Sequence, residues 1–337
     1  MKKYLNEIFL ISIISVAISI FSSYASDRIV IAQDGKVYLT SYKEWHYIQR
    51  YDSVTKEFSR VLSVSDPTYC HINSVFLDPT GTKVVYCGAC RYRTATTSNE
   101  VPKGFYFLKV INRKNMKEIV SFDHGQTNFS FSPDSDAIVY AEEIPGEAGS
   151  PAPLGYQGGA WIYNFNTKAK KHLNLAVVDI NWSSHDGNIY SMNGIDVYRY
   201  NLKTGKIEAV PYHGIYFSPD GKYNLSKTGY GIFRTQDNRE MTGWEDMIRR
   251  ESDHYRPTST IVFVCWCKKL NAAIFNVGGD NYVIFDPVEG KVLGRFRAIF
   301  TGINPEGTKA AVGLLGPDGR PQSDKIEILN LLDLIKK

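Results

Sequence analysis

The sequence predicts an all-β protein: a seven-bladed β-propeller of four-stranded antiparallel blades, with one short helix between blades five and six. Three observations predict it. A tight turn of the Pro-Asp-Gly kind recurs along the chain. A strand, an Asx-type turn and a return strand follow each copy. Seven such units fit between Arg28 and Lys337 at roughly 44 residues each, the ~40–45-residue period of propeller blades. One blade cannot bury both of its faces, so blades stack around an axis and the ring must close.

Composition agrees with a folded β protein. The chain has 337 residues, 43% hydrophobic, with 22 Tyr and 17 Phe. Such a chain buries a large core, and aromatic residues favour strands. A net charge of +4 is too small and too evenly spread for nucleic-acid binding.

Residues 1–25 read as a signal peptide. Lys2 and Lys3 form a basic start, and Ile8 to Phe21 is apolar but for Ser12, Ser15 and Ser19. Ser23 and Ala25 offer small residues where a signal peptidase reads, so cleavage is placed after Ala25. The run is shorter than the ~20 residues a membrane span needs. No transmembrane segment is expected after cleavage. Residues 26–337 are expected to form a single propeller domain.

The blades follow in order. Gln33-Asp34-Gly35 is a weak first turn, and Asp52 opens the first outer hairpin. Blade two has Leu77-Asp78-Pro79-Thr80-Gly81, the run Lys83 to Tyr86, and Asn112. Blade three has Phe131-Ser132-Pro133-Asp134-Ser135, the run Ala137 to Tyr140, and Asn166. Blade four has Trp182 to Gly187, then Val197 to Asn201 and a return strand Lys206 to Val210. Blade five carries Phe217-Ser218-Pro219-Asp220-Gly221-Lys222, with Ile232-Phe233-Arg234 ahead of its hairpin. Blade six has a degraded Trp266-Cys267-Lys268-Lys269, the run Ala272 to Phe275, and Asp286. Blade seven has Ile303-Asn304-Pro305-Glu306-Gly307 and Asn330. In each turn Pro presets φ, Asp caps its own backbone and Gly accepts positive φ. The pattern leaves open whether Arg28 to Ile31 starts blade one or completes blade seven.

These repeats resemble those of TolB-type propellers, relatives of the WD-repeat family. The resemblance rests on residues 217–221 and their copies, and on the hairpins near Asn201 and Asp286. It spans nearly the whole mature chain and implies architecture rather than activity. TolB-type proteins carry an α/β domain before a six-bladed propeller, whereas here strands follow the signal peptide directly and seven blades are counted.

In a propeller the first-to-second and third-to-fourth strand turns share one face. The second-to-third links and the links between blades share the other. The stereotyped turns fall on the first face and the irregular segments on the second, where binding usually lives. Gly88 to Gly104 contains Arg91, Tyr92 and Arg93, and Glu143 to Ala160 contains Tyr156. Thr242 to Tyr255 reads as helix, with Thr242 and Glu245 as a capping box and Trp244 on an apolar stripe. Gly316 to Asp324 contains Arg320. Arg, Tyr and Trp anchor interfaces, so these six are the candidate binding residues. The other reading has the helix plugging the gap between blades five and six.

Five cysteines remain. Folding the first strand of blade two on the second places Cys70 opposite residue 89, give or take one. A Cys70–Cys90 disulfide is expected, with Cys70–Cys87 the alternative. Cys265 and Cys267 read as buried apolar residues or a local pair; a four-thiolate zinc site would need different spacing. His71, His124 and His213 each precede an inner strand near the channel mouth, and Asp123 adjoins His124. Together they suggest the alternative function, a metal-dependent hydrolase or lyase. Otherwise no catalytic motif is present and no cofactor is implied. The expectation is an exported, periplasmic or extracellular, monomeric protein that binds a protein, envelope component or glycan.

Overall fold

A computed structural model describes residues 29–335 apart from 41–45, 65–69, 92–103, 124, 143–158, 176, 178, 195, 227–230, 251–260, 300 and 316–320. Residues 1–25, the expected signal peptide, lie outside the described residues. Seven antiparallel sheets follow one another along the chain. Blade one is β1 (Ile29–Ile31), β2 (Val37–Thr40), β3 (Tyr47–Asp52) and β4 (Glu57–Ser63). Blade two is β5 (Cys70–Leu77), β6 (Lys83–Arg91), β7 (Gly104–Asn112) and β8 (Glu118–Asp123). Blade three is β9 (Gly125–Phe131), β10 (Ala137–Glu142), β11 (Ala160–Asn164) and β12 (Lys170–Leu173). Blade four is β13 (Asp179–Trp182), β14 (Ile189–Asn193), β15 (Asp196–Tyr200) and β16 (Ile207–Val210).

Blade five has three strands, β17 (Tyr216–Phe217), β18 (Tyr223–Leu225) and β19 (Ile232–Arg234). Its fourth strand is reduced to one bridge, Phe233 to Glu240. The helix α1 (Trp244–Arg250) follows. Blade six is β20 (Val262–Cys267), β21 (Ala272–Asn276), β22 (Asn281–Asp286) and β23 (Lys291–Arg297). Blade seven is β24 (Thr301–Ile303), β25 (Lys309–Leu315) and β26 (Pro321–Asn330), ending in a 3-10 turn, Leu331–Leu334. The seven-bladed fold is therefore as expected, with two blades of three strands instead of four. β1 pairs with β2, so residues 29–31 start blade one.

The core lies in the seams. Among the described residues, seven hydrophobic clusters each bridge one pair of neighbouring blades. Alternation along each strand sends one set of side chains to each neighbour. On β7, Leu108 and Val110 join the seam with blade three, while Phe107 and Ile111 join the seam with blade one. The ring closes where Ile29, Ile31 and Leu39 of blade one meet Ala311 and Ile326 of blade seven.

The turns explain themselves in hydrogen bonds. Ser218 Oγ donates to Asp220 Oδ1 at 2.7 Å and accepts the N–H of Tyr223 at 3.0 Å. Ser132 does the same with Asp134 at 2.6 Å and Ala137 N–H at 2.9 Å. Asp78 takes this place in blade two, accepting Lys83 N–H at 2.7 Å, and Asn304 does so in blade seven with Lys309 N–H at 2.9 Å. In blade six the buried Cys267 stands there, opposite Ala272. The outer hairpins use a second cap. Asn201 Oδ1 accepts the N–H groups of Lys203 and Thr204, at 3.0 and 3.1 Å. Asp52, Asn112 and Asp286 repeat it. In blade three the cap is Asn164, two residues earlier than expected, accepting from Asn166 and Thr167. Asn330 caps nothing, because the chain turns into the 3-10 segment there.

Candidate functional site

The two ends of the blades differ. Links from first to second strand run 4 to 6 residues in every blade. At the other end the spread is wide: 12 residues between β6 and β7, 17 between β10 and β11, and 21 between the Glu240 bridge and β20. The four segments singled out above leave their sheets at this second end, and the expected face assignment holds for the strands that carry them.

The short-turn face is tied to itself. Thr80 N–H donates to Ser135 Oγ at 3.3 Å, and Lys83 Nζ to Ser135 O at 2.9 Å, joining blades two and three. Asp220 N–H reaches Asn271 Oδ1 at 3.3 Å between blades five and six. Lys268 N–H meets Glu306 O at 3.0 Å between six and seven, and Gln33 Nε2 meets Glu306 Oε1 at 2.6 Å between seven and one. Arg113 grips Asp34 through both carboxylate oxygens between one and two, at 3.0 and 2.9 Å. Five of the seven seams are thus tied by hydrogen bonds between neighbouring turns.

Within the ring, inner strands are also tied. Asn181 Nδ2 donates to Ile215 O at 2.8 Å, and Tyr216 Oη donates to the Asp179 carboxylate at 2.8 Å. At the irregular end of blade three a compact group forms that sequence reasoning missed. Lys170 Nζ pairs with Glu142 at 2.5 Å and lies 4.1 Å from the Trp161 ring centroid. The His172 ring lies 4.7 Å from that of Trp161, tilted by 53°. Tyr140 Oη donates to Glu142 at 3.2 Å, and burial holds that phenol well above its usual range. The signal was the short spacing of Lys170 and His172 on a strand, which puts them on one face opposite Trp161.

The candidate binding residues fare differently. Tyr92, Arg93, Tyr156 and Arg320 lie outside the described residues, and of Arg91 only the backbone is described, at the end of β6. Trp244 is placed, and it is a correction. Its side chain is 2% exposed, with its ring 5.5 Å from that of Phe275. With Ile248 it fills the seam between Leu225 and Ile232 of blade five and Phe263 and Phe275 of blade six. The helix is a plug, because blade five's missing fourth strand leaves apolar surface that must be covered.

Cys70 and Cys90 form a disulfide and are direct partners on β5 and β6. The register at Leu77 and Val84, continued evenly, would set Cys70 against Arg91. A bulge between Ile72 and Ser74 moves it to Cys90. Cys265 and Cys267 are free thiols. Burial pushes Cys265 up to about 12 and also raises Cys267, so neither is a reactive thiolate.

Two of the three imidazoles are placed. His71 sits on β5 of blade two. His213 is exposed before blade five and stacks on Phe233 at 4.6 Å. His124 lies outside the described residues. Among the described residues, no three His, Cys, Asp or Glu side chains gather as a metal ion would need. No helix among them is long and apolar enough to cross a membrane.

No family model and no curated relative matches the chain. Solved structures do. U3-55K shares 10% identity over 91% of this chain and 95% of its own, with a TM-score of 0.57. Hydrazine synthase of Kuenenia stuttgartiensis shares 12% over 91% and 95%, with a TM-score of 0.54. TolB from Acinetobacter baumannii shares 17% over 87% of this chain and 60% of its own, at 0.40. At such identities the first two likenesses speak for architecture alone, and the architecture they share with this chain is the β-propeller.

Proposed function

We propose that the chain is an exported, non-enzymatic propeller that docks a protein, envelope component or glycan on its irregular face. The observation that carries this is the contrast between the two ends. On one face neighbouring turns are hydrogen-bonded to each other at five of the seven seams, while links of 12, 17 and 21 residues concentrate on the other. Rigid scaffolds bind through such loops. The Cys70–Cys90 disulfide supports export, because disulfides persist in oxidising compartments.

The test uses the mature chain, expressed with its leader and recovered from the envelope. Its N-terminus should be Ser26. Cross-linked partners captured with it should be lost when Arg91, Arg93 and Arg320 are changed together to Ser. A matching triple change on the short-turn face, Lys203, Lys222 and Glu289 to Ser, should leave capture intact. Equal loss from both variants, or from neither, refutes the loop-face assignment.

A further inference from the structure

A second site lies in the seam between blades one and two, reaching the irregular face at Val64, Cys70, Cys90 and Asp123. A cleft of about 420 Å³ opens at the rim between β4 of blade one and the outer strands of blade two. Pockets of roughly 300–1,000 Å³ are the size that encloses small organic ligands. Leu62, Val64, Phe107, Ile111, Met116 and the Cys70–Cys90 disulfide form its walls. Three features make it a built site rather than a packing gap.

The first is Tyr86. It is 4% exposed and lines the cleft. Burial, and after it the Glu118 charge, keeps this phenol protonated, so it offers a donor. The second is Lys109. On β7 it lies between Phe107 and Ile111, on the face turned to blade one, where seam packing calls for an apolar side chain. It is instead half-buried and paired with Glu118 at 3.0 Å across the mouth. The third is charge. Glu118 and Asp123 outnumber Lys109 among the lining residues, two against one.

We propose that this cleft binds a neutral small molecule with a compact aryl or alkyl body and one carbonyl oxygen, which accepts the Tyr86 hydroxyl. The apolar walls take the body. Net negative charge at the mouth disfavours carboxylates. The disulfide holds the ends of β5 and β6 together as one wall, so the pocket keeps its shape without ligand.

The probe is 6-propionyl-2-dimethylaminonaphthalene, a fluorescent neutral ketone, titrated against the mature chain. Saturable binding with a blue shift is expected. Tyr86→Phe keeps the ring and removes the donor, and should weaken the ketone about fivefold, the worth of one hydrogen bond. The same change should leave 2-ethylnaphthalene, which lacks the acceptor, unaffected. Leu62→Trp fills the cleft and should abolish ketone binding while near-UV circular dichroism stays native. The anionic 6-dimethylamino-2-naphthoate should bind at least tenfold more weakly. Unchanged ketone affinity in Tyr86→Phe, or retained binding in a folded Leu62→Trp, overturns the proposal. Should Leu62→Trp fail to fold, the Tyr86→Phe comparison decides alone.

Discussion

Two small chemical rules recur from blade to blade and carry measurable consequences. The first is the carboxylate of the Pro-Asp turn. The Ser132 hydroxyl and the Asp136 N–H hold the Asp134 carboxyl below its usual range. At Asp220 burial opposes this, but donors from Ser218 and Lys222 outweigh it. A carboxyl depressed in the folded chain adds stability above its unfolded pKa of about 3.9. That stability is lost as pH falls through the lower, folded pKa. Urea midpoints measured from pH 5 down to 2 should therefore drop steeply for the native chain. In an Asp134→Asn, Asp220→Asn double variant they should drop less steeply. The second rule is the left-handed residue four places after each hairpin cap. Gly205 and Gly290 follow Asn201 and Asp286, but Lys56, Met116, Lys168 and Asn238 fill the same place elsewhere. An L-residue there costs about 1–2 kcal/mol, part of which glycine returns as chain entropy. Lys168, exposed with φ 58°, is the clean case. Lys168→Gly should raise stability by about 0.5–1 kcal/mol in urea unfolding. A loss would mean that the lysine side chain makes a contact this geometry does not account for.

The helix shows what patterning can and cannot reveal about an element. The stripe of Trp244, Met247 and Ile248 was readable, since helical periodicity is a property of the sequence. Which way the stripe faces was not, because that depends on blade five lacking a fourth strand and so exposing Leu225 and Ile232. Trp244→Ala should accordingly cost about 3–5 kcal/mol, as for a large side chain removed from a core. Partner capture should fall only as far as folding does. Weakened capture with an unchanged melting temperature would restore Trp244 as an interface anchor. The same limit explains the other misses. The cap in blade three was read at Asn166 because no glycine marks the left-handed place. Lys168 occupies it, and the cap four residues before it is Asn164. Turn chemistry is local and was legible in nearly every blade. The Cys70–Cys90 partnership was legible to within one residue, because a single bulge decides its register. The Tyr86 cleft depends on two blades failing to fill a seam, and only the charge of Lys109 amid apolar neighbours hinted at it.

Closure sets how the ring as a unit can fail. β1 pairs within blade one, and among the described residues no strand from the start of the chain completes the three-stranded blade seven. The last seam is held by the Ile29, Ile31, Ala311 and Ile326 cluster and by a few side-chain bonds such as Gln33 to Glu306. The other six seams have similar packing, but a linker also crosses each of them, so the cost of separating their blades in space is limited by the chain. Seam seven–one has no such tether and should open first. Gly302 is its tightest point. A Cβ there would stand 2.1 Å from the Ile29 carbonyl oxygen, a backbone atom that no rotamer change can move aside. Gly302→Ala should therefore cost about 3 kcal/mol, at the upper end for overpacking. Its effect should also be local before it is global. Native-state hydrogen exchange should show β1, β2, β24 and β25 losing protection ahead of blades three and four. Gly81→Ala, in an open turn with no atom within 4 Å of the new Cβ, should cost only about 1 kcal/mol of backbone strain and leave the exchange pattern unchanged. Uniform loss of protection in Gly302→Ala would show that the ring unfolds as one cooperative body with no weakest seam.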